Sequence, residues 1–568
     1  MRAAQLVVVR RLACSATLLA LAALPGTAGA AVTVTDAKIQ PSTTAAGAHP
    51  NLTIDLSFGQ SPTTDDLRDV TVILPQGLVG NPKAADRCSQ ASFQADTCPA
   101  ATKVGTTVVT AIPTVIVDGP AQESPGDVYN LAPTGGEPGR LGVVVRPTLP
   151  GASKIFLQSA AVIGPETSYG LRTTFTDLPR TSGPADIRVT RQVLTLNGQA
   201  AHGAFLTNPT GCGPATMTVL TTSYDDAAHP GGRQASFTPT ACDALAFTPA
   251  FSGTIGGAGN TAKGASPQLT TSIVYTAGQA NTRRASVIPP SSVVPDVTHP
   301  TCSADALAAN TCPAEAQVGT ATAQSPVLDS PLTGPVWFVS PTGGGLPQLA
   351  VQLSGQVAVT LIGNAELIGG KLANTFDNQP DVPLDRFDLT LAGGPGGLLK
   401  NATDLCAAGA DLTAGGSFTA HNDKVFDVSA PLTLQGCPPP QPGPPSAAYE
   451  LLPGRNGHRM LIGRFAAGTR APGLVKVRVD LPPKLSPGAP DPKQRITAYA
   501  DGKKLGPLAI RVRNKGRRLT LILKGVRKVG FRWRGLVPLP GGAAHPQIGT
   551  QITDAKGKVT TLSPPAAR

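Results

Sequence analysis

Residues 88–107 read CSQASFQADTCPAATKVGTT, and residues 302–321 read CSADALAANTCPAEAQVGTA. Ten of these twenty positions agree without a gap, including the Cys-Pro-Ala step and the Val-Gly-Thr that follows. The agreement extends outward. Upstream, HPNLTIDLSF at 49–58 matches SPQLTTSIVY at 266–275, and downstream VYNLAPTGG at 128–136 matches VWFVSPTGG at 336–344. The chain therefore contains a duplication, and such internal self-similarity governs any reading of architecture. Copy 1 spans roughly 33–248 and copy 2 roughly 266–437. The offset between them drifts from 214 at the first cysteines to 194 at Cys212 and Cys406. Drift of that kind reflects loops of different length on a common fold.

The eight cysteines beyond residue 30 carry the same duplication. Cys88 and Cys98 are ten residues apart, as are Cys302 and Cys312. Cys212 and Cys242 are separated by thirty, and Cys406 and Cys437 by thirty-one. An even count in an exported chain implies disulfides. Local pairing is the simplest choice, but four cysteines per copy allow three pairings, and spacing alone does not select one. Zinc is disfavoured: there is no C-x-x-C and no histidine at ligand spacing from a cysteine pair.

Export is read from the first thirty residues. Arg2, Arg10 and Arg11 precede a mostly apolar run, 12–24, and Ala28-Gly29-Ala30 has the small-x-small form of a signal-peptidase site. The run is too short to span a bilayer. Arg10-Arg11 lacks the flanks of a twin-arginine signal. Cys14 has Arg11 three residues before it and most of the apolar run after it, against a lipoprotein cysteine. No later stretch reaches eighteen apolar residues, so the mature chain is expected to be secreted or envelope-associated without a transmembrane segment.

Period-two alternation dominates the remainder. Leu52, Ile54, Leu56 and Phe58 alternate with polar residues, as do Phe387, Leu389 and Leu391. Gly and Pro number 63 and 56 in 568 residues and punctuate the apolar runs at short intervals. Charged residues at 14% and aromatics at 4% exclude coiled coils, long amphipathic helices and highly charged disorder. The expected fold is all-β: two homologous disulfide-stapled β-sandwich-like domains and a C-terminal Ig-like β-domain. Short helical turns are expected at 89–96 and 303–310, inside the ten-residue cysteine loops. A Gly/Ser-rich linker is expected at 249–265, a Pro-rich linker at 438–446, and a third domain at 447–568.

Three features together, ILPQGLVGNP at 73–82, the duplicated cysteine block and the VYNLAPTGG/VWFVSPTGG pair, resemble a group of exported tandem-repeat β-proteins of GC-rich bacteria. The resemblance covers both copies and is less clear over the last domain. It implies export and repeated β-domains, and no particular activity.

Charge is divided along the chain. From Ala447 onward there are 24 Lys/Arg against 5 Asp/Glu, while the tandem copies with their linkers hold 20 against 30. In the basic domain Lys476 and Arg478, Arg511 and Arg513, and Arg532 and Arg534 alternate with Val or Trp. If these strands share one sheet, the six cations line one outward face. Such a face would attract an anionic envelope polymer. An ordinary solvated face, or docking against the acidic copies, are the competing explanations. Nucleic acid is the least favoured polymer, because the chain is exported and the region lacks a stacking platform.

The sequence carries no G-x-S-x-G, H-E-x-x-H, Walker or EF-hand motif, so no catalytic, cofactor or metal residues are expected. The histidines are scattered, and four of them (His49, His229, His299 and His545) directly precede proline. The adjacent pairs Asp65-Asp66 and Asp225-Asp226 suit solvated loops or weak Ca²⁺ binding better than division of acid and base roles. The glycine runs 343–345 and 393–397 read as turns, and Trp337 and Trp533 as core. The leading expectation is a noncatalytic surface or envelope protein with a structural or adhesive role, with protein partners at the surface. Second comes a polymer-binding role for the last domain, and third a hydrolase whose site is assembled from sequence-distant residues.

Overall fold

A computed structural model describes residues 32–60, 65–114, 117–148, 150–228, 230–341, 345–368, 371–437, 443–488, 495–540 and 545–567. The expected signal segment 1–30 with Cys14, His229, Gly343-Gly344 and most of the Pro-rich stretch 438–446 lie outside the described residues. The chain divides into two compact units, 1–437 and 438–568. Among the described residues no helix is long and apolar enough to cross a membrane.

Copy 1 contributes eleven principal strands: β1 (Val32–Pro41), β2 (Leu52–Gln60), β3 (Leu67–Ile73), β4 (Lys103–Thr114), β5 (Gln122–Leu131), β6 (Arg140–Val145), β7 (Ile155–Ala160), β8 (Arg172–Phe175), β9 (Ala185–Leu196), β10 (Ala215–Ser223) and β11 (Gly231–Phe237). One sheet runs β1-β2-β9-β4-β5-β6-β7 and the other β11-β10-β3-β8. The sheets face each other over one core, and β1 lies against β10 and β11. The Thr221 hydroxyl donates to the Val32 carbonyl at 3.3 Å. A Cβ on Gly231 would meet that same oxygen at 2.5 Å, so glycine permits the approach. The wall is built by alternation: Leu52, Ile54, Leu56 and Phe58 all point inward. In β1 a bulge between Val34 and Asp36 shifts the inward set to Ala37 and Ile39.

Copy 2 repeats the order. Its strands are β12 (Ala250–Gly256), β13 (Gln268–Val274), β14 (Thr282–Ile288), β15 (Gln317–Gln324), β16 (Leu332–Ser340), β17 (Gln348–Leu353), β18 (Val359–Ile368), β19 (Lys371–Phe376), β20 (Arg386–Leu391), β21 (Thr413–Ala420), β22 (Val425–Pro431) and β23 (Thr433–Gln435). They form one sheet, β22-β21-β14-β19-β18-β17-β16-β15-β20-β13-β12-β23. Because β23 follows β22 directly and pairs in parallel with β12, the sheet curls back on itself. β12 lies inside the stretch 249–265 expected as a linker. That expectation is corrected: Phe251 and Ile255 alternate inward between Gly, Ser and Thr, and the full strand pairs with β13. Small residues were read as flexibility where they serve close strand packing.

The four disulfides are local, and of the three pairings open to each copy the structure takes the sequential one. Cys88 is bonded to Cys98, and Cys212 to Cys242. Cys302 is bonded to Cys312, and Cys406 to Cys437. Each long bridge closes the base of the last hairpin of its copy. In copy 2 that bridge ends on an exposed residue, Cys437, the last of the tandem unit, whereas its counterpart Cys242 is buried. Each short bridge closes a single helical turn, α1 (Gln90–Gln94) or α2 (Ala304–Ala308). Both turns begin with a serine N-cap, Ser89 accepting from the Ser92 amide and Ser303 from the Ala306 amide. Both are followed by a left-handed residue, Asp96 or Asn310. Phe93 and Leu307 bury against the outer face of the sheet, in satellite clusters separate from the main cores.

The second unit is a sandwich. Its strands are β24 (Ser446–Pro453), β25 (Arg459–Ala466), β26 (Leu474–Asp480), β27 (Ile496–Ala500), β28 (Ile510–Arg513), β29 (Arg518–Val526), β30 (Lys528–Pro538), β31 (Gly549–Asp554) and β32 (Val559–Leu562). One sheet contains β27-β30-β25-β24 and the other β28-β29-β26-β31-β32. Trp533, Phe531, Leu461, Val477 and Leu519 form the shared core. The Tyr449 hydroxyl bonds the Thr550 hydroxyl across it at 2.6 Å, and burial raises the Tyr449 pKa.

Candidate functional site

The six cations singled out in the basic domain do not share a face. Lys476 and Arg478 on β26 and Arg511 and Arg513 on β28 belong to one sheet, whereas Arg532 and Arg534 on β30 belong to the other. Each pair points away from the core because Val477 and Val479, Ile510, and Val529, Phe531 and Trp533 point inward. Outward faces of a two-sheet sandwich look in opposite directions. The condition for a six-cation face therefore fails, and four of the six remain together.

The sheet adds two cations to that face that sequence reading passed over. Cross-strand partners run Arg511–Thr520–Arg478–Gln551 and Arg513–Arg518–Asp480–Gly549. Arg518 and Lys524 on β29 share the parity of Thr520, while Leu519, Leu521 and Leu523 are buried. The same alternation in RLTLILKG, 518–525, was available to find them. Asp480 tempers the face: it accepts from Arg478 Nε at 3.0 Å and from Arg518 Nε at 2.5 Å. Elsewhere in the unit arginines act as loop clamps. Arg517 donates to the Leu481 and Pro482 carbonyls, and Arg527 to those of Gly468 and Ala471.

In the tandem unit the copies meet through a buried carboxylate. Asp381 of copy 2 is 3% exposed. It accepts from the Thr210 amide at 2.8 Å and the Thr210 hydroxyl at 2.6 Å, both of copy 1, and from Asn281 Nδ2 at 2.8 Å. Asn422 Nδ2 donates to the Cys242 carbonyl at 2.8 Å, and Lys424 Nζ to the Leu245 carbonyl at 2.7 Å. Arg87 and Asp329 pair at 2.9 Å, about one-third exposed, and contribute little. No sequence motif announces this junction, because its partners are 171 to 242 residues apart among the pairs above that cross it.

The residues weighed for chemistry are mostly engaged with backbone. His49 Nδ1 lies 2.9 Å from the Leu206 carbonyl, His421 Nε2 3.0 Å from Gln379 and His545 Nδ1 3.0 Å from Ala566. His202 pairs with Asp86 at 2.7 Å, both about half exposed. Among the described residues no Ser, Thr or Cys side chain bonds a histidine that also holds a carboxylate. The two Asp pairs come together in one corner. Asp65 accepts from the Asp225 amide at 3.1 Å, and Asp66 from Arg180 at 2.8 Å. Among the described residues no group of three or more His, Cys, Asp or Glu could hold a metal. The run 393–397 is a turn, with Gly394 left-handed. Trp533 is core, while Trp337 is half-buried and donates to Gln352 Oε1 at 2.8 Å.

No family model matches the chain, and no curated protein matches it. Solved structures with some likeness include a Corynebacterium diphtheriae protein described as membrane anchored, 7% identical, covering 94% of this chain and 91% of its own, TM-score 0.16. The major pilin subunit of Bacillus cereus is 10% identical, with coverage of 72% and 89% and TM-score 0.17. A biofilm-associated protein B domain is 11% identical, with coverage of 56% and 88% and TM-score 0.14. TM-scores this low do not define a shared fold.

Proposed function

We propose that the protein is an exported, noncatalytic cell-surface or envelope protein with a structural or adhesive role. The observation that carries this reading is the oxidised tandem unit: four disulfides in two copies of one β-rich repeat, joined by a buried carboxylate. Disulfides at this density persist in oxidising compartments, and a body stapled twice per copy resists local opening. The test is labelling of intact producing cells with a membrane-impermeant amine reagent, together with thiol titration of the purified chain. Surface labelling with no titratable thiol among the eight cysteines is expected. A cytosolic protein with free thiols overturns the reading. Deletion of the gene should weaken attachment or the envelope without removing a reaction.

The face of Lys476, Arg478, Arg511 and Arg513 favours a second reading, in which the C-terminal unit holds an anionic envelope polymer. Four neutralised phosphates correspond to a log–log salt slope of about −3 to −4. Retention of the full chain on a phosphate-bearing matrix should fall when Arg511→Glu and Arg513→Glu are combined. It should fall less for Arg532→Glu with Arg534→Glu, which lie on the other sheet. Equal effects of the two pairs, or elution below physiological salt, reduce the charges to solubilising ones.

A further inference from the structure

The tandem unit contains three adjoining cavities within and between its packed cores. A cavity of ≈ 130 Å³ lies inside copy 1, one of ≈ 370 Å³ at the junction of the copies, and one of ≈ 150 Å³ inside copy 2. They share walls. Val79, Val327 and Val382 line both the copy 1 cavity and the junction cavity. Tyr275, Leu384 and Phe387 line both the junction cavity and the copy 2 cavity. The copy 2 cavity has no charged residue in its lining and ends among Pro295, Val297, Leu346 and Pro347. There Val297 and Leu346 stand 63% and 59% exposed. That rim is at the opposite end of β16 from Leu332, which lines the junction cavity.

Native interiors contain few voids larger than a water molecule. A cavity of about 150 Å³ with a mostly apolar lining takes up small apolar ligands; the polar side chains in the copy 2 lining are Thr271, Tyr275, Asn374 and Gln379. The junction cavity has the size and mixed lining of a ligand site. Asn81, Thr207, Gln279 and Asp385 supply polar groups at the junction, and apolar side chains continue from there into copy 2. The voids adjoin one another through these shared side chains, from copy 1 to the rim of copy 2. That arrangement suits a slender, flexible ligand.

The geometry points to a binding site for a single-chain amphiphile, with its polar end in the junction cavity and its long hydrocarbon tail threaded through the interior of copy 2. Occupancy would recover the dispersion contacts that the cavity lining lacks. It would also give the duplication a use, because the head site exists only where two copies meet.

The test measures binding of radiolabelled palmitic acid to the full chain, with butyric acid as the short-chain control. Saturable uptake of about one palmitate per chain and none of butyrate is expected. Val297→Asp and Leu346→Asp, on an exposed rim where folding is insensitive to charge, should each weaken palmitate binding about tenfold. Ala365→Phe, which fills the copy 2 cavity, should abolish it. A second arm offers vesicles of palmitoyl-oleoyl phosphatidylglycerol. Extraction of lipid from them identifies the membrane as the source, and uptake of palmitate alone identifies the free acid. Absence of saturable palmitate binding, equal binding of butyrate, or unchanged binding in both rim variants overturns the proposal, whether or not Ala365→Phe folds.

Discussion

The two copies share strand order, disulfides and capped helical turns, yet they hold the helical turn to the sheet by different chemistry. In copy 1, Asp96 accepts from Arg146 at 2.7 Å and from Lys154 at 2.6 Å, and Arg146 also donates to Asp127 at 2.7 Å. In copy 2 the position of Asp96 is Asn310, and the bonds are neutral. Gln352 donates to Asn310 Oδ1 at 3.1 Å and to the Leu307 carbonyl at 3.0 Å, and accepts from Trp337. Packing differs in step. Copy 1 sets Phe93 against Gly142, where a Cβ would meet the ring at 2.6 Å. Copy 2 sets the smaller Leu307 against Ala350. The sheet also differs: β18 and β19 form a full ladder in copy 2, whereas β7 and β8 do not pair. In copy 1 the segment 161–171 intervenes with its Gly-Pro turn, leaving a Thr174 amide to Ser159 hydroxyl bond of 2.8 Å between those strands. The lesson is that the disulfide-capped turn is the constant device, and its anchorage is exchangeable so long as each buried polar group keeps a partner.

The largest effect is expected at the contact between the copies. Asp381→Ala removes an acceptor used by three donors, two of them buried, and should cost about 3–4 kcal/mol. Calorimetry of the full chain should then resolve separate melting of the two copies where the natural chain melts the tandem unit as one. A single unshifted transition would make the junction incidental. Next come the short disulfides. Cys88→Ser with Cys98→Ser, and Cys302→Ser with Cys312→Ser, open loops of equal length, so each pair should cost about 3 kcal/mol. Chemical denaturation measures both, and a large inequality would show that the anchorage, not the staple, dominates.

The packing exchange is sharper. Gly142→Ala should destabilise by about 1–3 kcal/mol through overpacking against Phe93. Adding Phe93→Leu should restore part of it, since Leu131 Cδ1 at 2.7 Å from the same Cβ still crowds the site, and a double-mutant cycle measures the coupling. Additive losses would break the correspondence. The smallest effect separates the copies by pH. At Asp96 burial works to raise the pKa, but hydrogen bonds from Arg146 and Lys154 outweigh it and hold the carboxyl below 3.8. At Asp127 burial is likewise outweighed, there by Lys103 and Arg146. A depressed folded pKa contributes stability above the ordinary carboxylate value, and that stability is lost as pH falls through the folded one. Amide exchange at α1 should therefore quicken below about pH 4, while α2, held by neutral groups, should not follow. Parallel acceleration of both would remove the distinction.

Much of the fold was legible because its signals are local. The inward set of β2 is the alternation of Leu52 to Phe58, and the helical turns expected at 89–96 and 303–310 are α1 and α2. The reading failed at 249–265, where composition resembled a linker but Phe251 and Ile255 kept period two. It failed again at the cation face, because alternation tells which way a side chain points from its own sheet and not which sheet the strand joins.

The sequence by itself determined that the chain is a duplicated, disulfide-stapled β protein with a basic end, since repeats, cysteine spacing and period-two patterning are written residue by residue. Only the tertiary structure decided that Cys406 takes Cys437 and the other cysteines their nearest partners, that the copies share one unit, that the cations split four to two between opposite faces, and that adjoining cavities lie within the tandem unit. Each of these depends on strand order and on contacts such as Thr210 with Asp381. Pairings so distant in the chain leave no periodic trace, because the energy that selects them comes from burial and hydrogen-bond satisfaction after the strands have met.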